Sequence, residues 1–256
     1  MRNAPYRTLL KEPATLPKTL EIESTWFTIP DSAGGPPGGE QAGVRKMSQY
    51  FCSSAPSSYK NTRNSLFGDD YSTGLSAYLA HGCLSPLQVF DEVQRYEADV
   101  GKSQSTHWIV LELLWREFFR WYGLNYRDKL FEFSGINDKR PLTSFYFDRF
   151  ASWRTGHTQW PIVNACMREL NATGHLSNRG RQIAASCLIN DLNVDWRCGA
   201  AYFAEKLIDY DPCSNWGNWQ YIAGVGADPK GGRQFNLERQ AATFDADRSY
   251  QKYWGA

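Results

Sequence analysis

Net charge is almost absent from this 256-residue chain: 28 Lys and Arg face 27 Asp and Glu, a formal +1. That excludes a protein coating nucleic acid by bulk charge, while leaving room for a local basic groove inside a neutral total. Paired cysteine motifs are lacking too. Cys52, Cys83, Cys166, Cys187, Cys198 and Cys213 are scattered, with no Cys-x-x-Cys pair and no histidine at ligand spacing. The pattern argues against a zinc site or disulfide framework and predicts buried free thiols and no metal. No apolar run approaches the roughly 18 residues a membrane span needs, and no secretory leader opens the chain. A soluble protein of the cytoplasm or another intracellular compartment is expected, with no membrane partner. Strand-like alternation is nearly missing from residue 44 onward, so the regular structure is expected to be helical.

Aromatic residues, by contrast, are plentiful: 10 Trp and 14 Tyr contribute to a 15% aromatic content. Each indole N–H needs a hydrogen-bond partner, so this many tryptophans invites a search for stacking or redox roles. Residues 1–43 hold six of the twelve prolines and the run Ser32-Ala33-Gly34-Gly35-Pro36-Pro37-Gly38-Gly39, which predicts an extended arm or linker before a helical domain over 44–256. Ser85-Pro86-Leu87-Gln88 has the form of a capped helix start. Pro161 is expected to open and Gly174 to close another helix, and Asp195 to cap one beginning at Trp196. Between about Ser105 and Tyr122, Trp108, Leu111, Trp115, Phe119 and Tyr122 recur at helical spacing, so this stretch reads as an amphipathic helix with an aromatic face. On it Glu112, Trp115 and Arg116 stand at i, i+3 and i+4 and share a surface. An acid, an indole and a guanidinium together make a poor core and a plausible binding face.

Three clusters suggest a polar ligand. Ser72-Thr73-Gly74-Leu75-Ser76 puts hydroxyls and a glycine before a helical segment, which suits a phosphate, although taken alone a plain N-cap is the more common use of such a stretch. Arg116 and Tyr59 are available for the same anion. Ser177-Asn178-Arg179-Gly180-Arg181-Gln182 places Asn178 and Arg181 on one helical face, as a ligand contact or as a solvated helix start. Asp209-Tyr210-Asp211 spaces two carboxylates by one residue, without a histidine or third acid nearby to complete a metal site. Hydrogen bonding to a polar ligand is their better use.

Together with Thr62-Arg63-Asn64, Glu112-Leu113-Leu114-Trp115-Arg116-Glu117 and Asp209 to Trp219, these segments resemble the flavin domain of the photolyase/cryptochrome family. They follow its order and spacing over about residues 38–256, in forms closest to the DASH branch. The resemblance implies an all-α domain holding FAD in a folded, U-shaped conformation. Tyr59, the loop Ser72, Thr73, Gly74, Leu75, Ser76 and Arg116 would meet its pyrophosphate. Asn178, Arg181, Asp209, Tyr210 and Asp211 would surround flavin and ribose, and Asn215 would face flavin N5. Glu112 and Trp115 would line the mouth of the cavity, where a flipped pyrimidine dimer enters. Arg63, Arg179, Asn178 and Tyr221 would contact the DNA. Trp219, Trp196 and Trp153 would form an electron route from flavin to surface; without the resemblance they read as structural tryptophans.

The activity so implied is that of a deoxyribodipyrimidine photolyase-like carbon–carbon lyase. It repairs cyclobutane dimers in DNA under blue light, single-stranded DNA preferred. A cryptochrome-like photoreceptor and a nucleic-acid-binding remnant without photochemistry are the rival expectations. The chain departs from the family at Gly74, where a basic residue is common, and at Ala77, where proline is. Loss of a charge beside the pyrophosphate is expected to weaken the hold on FAD. The family's N-terminal antenna domain is not matched by any segment, so no antenna chromophore is expected, and a separate partner could take that domain's place.

Overall fold

The structure is a computed structural model and describes residues 37–228 and 232–256. The arm expected over 1–43 lies largely outside these residues. Helix α1 spans Glu40–Phe51, so the boundary drawn after residue 43 falls inside its first turn. Eleven helices follow among the described residues: α2 Ala55–Thr62, α3 Ser76–Ala80, α4 Pro86–Val100, α5 Gln104–Tyr126, α6 Phe147–Arg154, α7 Pro161–Thr173, α8 Asn178–Ser186, α9 Trp196–Lys206, α10 Pro212–Ala223, α11 Leu237–Phe244 and α12 Ser249–Tyr253. Among the described residues the extended pairing is one isolated bridge, Ser144 with Val194.

Local chemistry explains most helix ends. Ser85 accepts from Gln88 N–H while the Gln88 side chain receives the Ser85 N–H, a complete capping box before Pro86. Helix α7 starts at Pro161 and stops at left-handed Gly174, and Asp195 accepts from Arg197 N–H at the start of α9. The helix expected from about 105 to 122 is longer. Ser103 and Thr106 cap each other's backbone at its start, and it continues to Tyr126.

Two large apolar clusters divide the helices. Buried residues of α1 to α4 and the first half of α5 form one, among them Tyr50, Tyr78, Val89 and Ile109. The other gathers α6 to α10 around Trp153, Met167, Leu188, Trp196 and Phe203, with Leu237 and Tyr250 from the last helices. At about 1.5 Å per residue the 23-residue α5 is roughly 35 Å long. It packs on α2 near one end and on α10 near the other, bracing both clusters. Its aromatic face is divided accordingly: Phe119 and Tyr122 are buried, whereas Trp115 is 50% exposed.

After α8 the chain makes a wider π turn, Cys187–Asp191, before the loop that leads to α9. The thiols are only partly as expected. All six cysteines are free, but Cys166 and Cys187 alone are buried, while Cys52 is exposed. Burial pushes the Cys166 thiol up to about 12.

Candidate functional site

Between the two clusters lies a cavity with about 1700 Å³ of space free of protein atoms, its open mouth included. Its walls come from α2, the loop before α3, the middle of α5, α8, and the segment from Asp209 through α10. Tyr59, Arg63, Ser72 to Ser76, Glu112, Arg116, Asn178, Arg181, Asp209, Tyr210, Asp211, Asn215, Trp219 and Tyr221 all line it. Residues from three separate sequence clusters thus meet in one place. Trp115, Arg179, Trp196 and Trp153 are not part of the lining.

One wall is built for negative charge. No side chain of the loop caps α3, so the loop is not the plain N-cap that was its alternative reading. Gly74 has φ +64°, a left-handed conformation that glycine adopts without strain. A Cβ there would stand 2.9 Å from Lys46 Cε and 3.7 Å from the Lys46 ammonium. A lysine from α1 thus packs against the loop at position 74, its ammonium paired with Asp70 at 3.5 Å. Arg116 also lines this cavity, its Nη1 donating to Glu117 at 3.0 Å and its Nη2 to the Leu79 carbonyl at 3.4 Å.

Arg181 donates to both oxygens of Asp209, at 2.9 and 2.8 Å, tying α8 to the segment before α10. Burial alone would raise the Asp209 carboxyl, but the Arg181 guanidinium and the Ser76 hydroxyl outweigh it and hold Asp209 below the usual carboxylate range. Asp211 is the N-cap of α10 and accepts from Ser214 N–H at 2.7 Å, so part of its role is structural.

The opposite wall suits a flat heteroaromatic ring. Asn215 gives its Nδ2 to the Ala200 carbonyl at 2.9 Å, which leaves its Oδ1 for a ligand. Trp219 lies over Gly199 of α9, where a Cβ would come within 2.2 Å of the indole, so only glycine leaves room for that ring. Gln182 also lines the cavity, and its buried Oε1 has no partner within the protein. An orphan acceptor of this kind calls for a ligand N–H or a water.

Glu112 and Arg63 form an ion pair on the cavity wall. Burial pushes the Glu112 carboxyl up, and Arg63 pulls it partly back down. The Arg63 guanidinium also lies over the Trp108 ring at 4.2 Å. Arg179 donates to Asn64 at 2.9 Å and sits over Phe244 at 4.5 Å. Burial, and then the charge of Arg63, lowers the Arg179 pKa, so these two cations feel each other.

The three tryptophans of the expected electron route all lie in the interior. Trp219 is 3% exposed, and Trp153 and Trp196 are 0% exposed, so none of them reaches the surface. Trp153 meets Trp219, while Trp196 meets Trp216. Among the described residues no group of three or more His, Cys, Asp or Glu could hold a metal ion, and no helix is long and apolar enough to cross a membrane.

A family profile described as the FAD binding domain of DNA photolyase matches residues 108–255, more than half of the chain. The chain belongs to the photolyase/cryptochrome family. It is 53% identical to the cryptochrome DASH of Idiomarina loihiensis over 85% of its own length and 48% of the relative. For cryptochrome DASH of Vibrio parahaemolyticus the figures are 55%, 85% and 49%. Among solved structures, the Synechocystis cryptochrome superposes with a TM-score of 0.82 at 47% identity, covering 85% of this chain and 45% of that one. A class III photolyase from Agrobacterium tumefaciens gives 0.79 at 32% identity, covering 94% and 51%. The chain thus spans about half the length of the curated relatives it matches, and it contains the FAD-binding region of the family. The site residues fit this cofactor. Arg116 and the hydroxyl loop suit a pyrophosphate, while Asn215, Gln182 and Trp219 suit a ring with N–H and carbonyl edges.

Sequence reasoning named Gln182 only as the end of its cluster, without a role, and did not name Lys46 at all. Gln182 carried a signal, since it lies four residues after Asn178 and therefore on the same face of α8.

Proposed function

We propose that this chain is the catalytic half of a DNA lyase that splits cyclobutane pyrimidine dimers under blue light, with single-stranded DNA preferred. Glu112 carries the reading: an acid whose carboxyl is pushed up by burial lines the FAD cavity, with Trp115 exposed one turn further along α5. When bound, reduced FAD supplies the light-driven electron. The chain's own residues bind, orient and protonate.

Trp115 offers a face on which an extruded pyrimidine can stack, worth about 1–3 kcal/mol per base. Glu112 in its neutral form offers an O–H to a pyrimidine carbonyl. Arg63 links the two events. While Arg63 is paired with Glu112 it favours the carboxylate, but a DNA phosphate that attracts Arg63 removes this influence, and burial then favours the acid. The mutual repulsion of Arg63 and Arg179 is relieved by the same phosphate. Trp108, under Arg63, also borders a second hollow with Lys60, Lys102 and His107, which extends the basic track available to a strand. Single-stranded DNA is favoured because extrusion there costs no base pairing, a saving of a few kcal/mol.

The test is to illuminate the prereduced protein with a dimer-containing oligonucleotide and count restored pyrimidines. Protein with full FAD that restores none overturns the lyase reading.

A further inference from the structure

Beyond the Arg63–Trp108 stack lies the second hollow, with about 900 Å³ of space free of protein atoms, its open mouth included. Gln104, His107, Trp108 and Leu111 stand at i, i+3, i+4 and i+7 on α5 and form one wall, while Lys60 of α2 and Lys102 contribute ammonium groups. Among the described residues no acid lines this hollow, whereas Glu112, Asp209 and Asp211 line the FAD cavity. Lys60 donates to the neutral Gln104 side chain, so its charge stays uncancelled by that partner, and Lys102 is exposed. Trp108 is half-buried, with the Arg63 guanidinium 4.2 Å from its ring centre. Arg63 takes one face of the indole, and the ring also borders the hollow. Ammonium groups beside an indole, with no acid among them, suit a ligand that joins an anion to a flat ring, and a nucleotide is such a ligand.

We infer that this hollow is a subsite for the unpaired nucleotide adjoining the dimer: its base stacks on Trp108, beside His107 and Leu111, and Lys60 and Lys102 hold its phosphate. The inference rests on the lyase reading above and names the path by which the strand leaves that site. Trp108 stands seven residues before Trp115, two turns along the same side of α5 and about 10 Å away along its axis. That distance is about three steps of a stacked strand and fewer of one that is drawn out. Arg63 lies between the two platforms, on Trp108 and paired with Glu112, where the linking phosphate passes. A base within a duplex is already stacked and paired, so it reaches Trp108 only by leaving its partner. The hollow thereby distinguishes a single strand from a duplex at a position where no chemistry occurs. Every base offers a π face, so the preference is for an unpaired base and not for one sequence.

The test uses FAD-loaded protein in the dark and single-stranded oligonucleotides that each carry one cyclobutane dimer. The nucleotide beside the dimer is left intact or made abasic, on the 5′ side in one set and on the 3′ side in another, so that the base is lost and the phosphate kept. On one of the two sides, loss of the base should weaken wild-type binding about tenfold, the worth of one base–aromatic stack. Trp108→Leu should bind the intact strand about as weakly as the wild type binds the abasic one, and should no longer tell the two apart. Its advantage for single strand over duplex should shrink accordingly. Lys102→Ala, at an exposed position, should lower the salt dependence of binding by about one counterion while keeping the response to the abasic site. Wild-type binding that ignores an abasic site on both sides overturns the inference without recourse to any variant. Full discrimination in Trp108→Leu, or an unchanged salt dependence in Lys102→Ala, also overturns it. Repair of a bare dinucleotide dimer, which has no flanking base, tests the lyase reading alone, so the two can fail separately.

Discussion

Arg181 and Asp209 share two hydrogen bonds, at 2.9 and 2.8 Å, across the floor of the cavity, and the Asp209 side chain is only 5% exposed. Removing the carboxylate leaves the partly buried Arg181 guanidinium without its counter-charge, held by the Leu176 carbonyl. Asp209→Asn is expected to cost roughly 3 kcal/mol of stability at neutral pH, the usual penalty for breaking a buried pair. The pH dependence has a definite sign. Because the folded-state pKa of Asp209 is held low, its stabilisation is complete above the unfolded carboxylate value of about 4 and is lost as pH falls through the folded value. Urea unfolding from acid to neutral pH should show that decline in the wild type and a flatter curve in Asp209→Asn.

Lys46 is predicted to help hold the pyrophosphate. Its side chain fills the space beside Gly74, while its ion pair with Asp70 is long at 3.5 Å and half exposed, leaving the ammonium free to turn to an anion. Lys46→Ala should weaken FAD by about 1 kcal/mol, roughly fivefold in Kd, with the fold intact. Raising the salt concentration should narrow the difference between the two proteins. Fluorescence titration of flavin-free protein measures both effects.

Trp115→Ala should separate substrate from cofactor. Trp115 is half exposed and does not line the cavity, so flavin content should not change. Binding to dimer-containing DNA should lose about 1–3 kcal/mol, the worth of one base–aromatic stack. Equilibrium binding to a labelled oligonucleotide, with flavin absorbance recorded on the same samples, checks both halves.

Glu112 is expected to act as the neutral acid. Its pKa is raised, so the working form dominates at low pH and is lost as pH rises through that value. Repair per photon should therefore fall toward alkaline pH in the wild type. Glu112→Gln keeps a donor that does not titrate and should flatten the profile, while Glu112→Ala should lower the yield at every pH. The measurement is quantum yield against pH with saturating substrate.

How much of this was legible depends on the range of each interaction. Ser85, Gly174 and Asp195 announced helix ends because capping acts within one turn, and a single sequence displays that range directly. The box at Ser103 passed unseen because Thr106 fills the place where Glu or Gln is the recognised partner. The five family-like segments all contribute to one cavity, yet Lys46 could not have been paired with Gly74 by inspection: they belong to different elements and meet only in the fold. That the three tryptophans of the expected route are all buried was hidden for a similar reason. Burial is a property of the packed whole, and nothing local to Trp153 says that it ends 0% exposed. The π turn at Cys187–Asp191 sits in an apolar run that reads equally well as ordinary helix.

The cavity takes its walls from residues as far apart as Tyr59 and Ile222. No fragment of the chain can therefore assemble it early, and competence to bind flavin should appear only at the last cooperative step of folding. A ligand that recognises just that final state draws the whole equilibrium toward it, by about 1.4 kcal/mol for each tenfold excess of free FAD over Kd. Flavin supply during synthesis should then govern how much of this chain survives proteolysis, before any photon is absorbed.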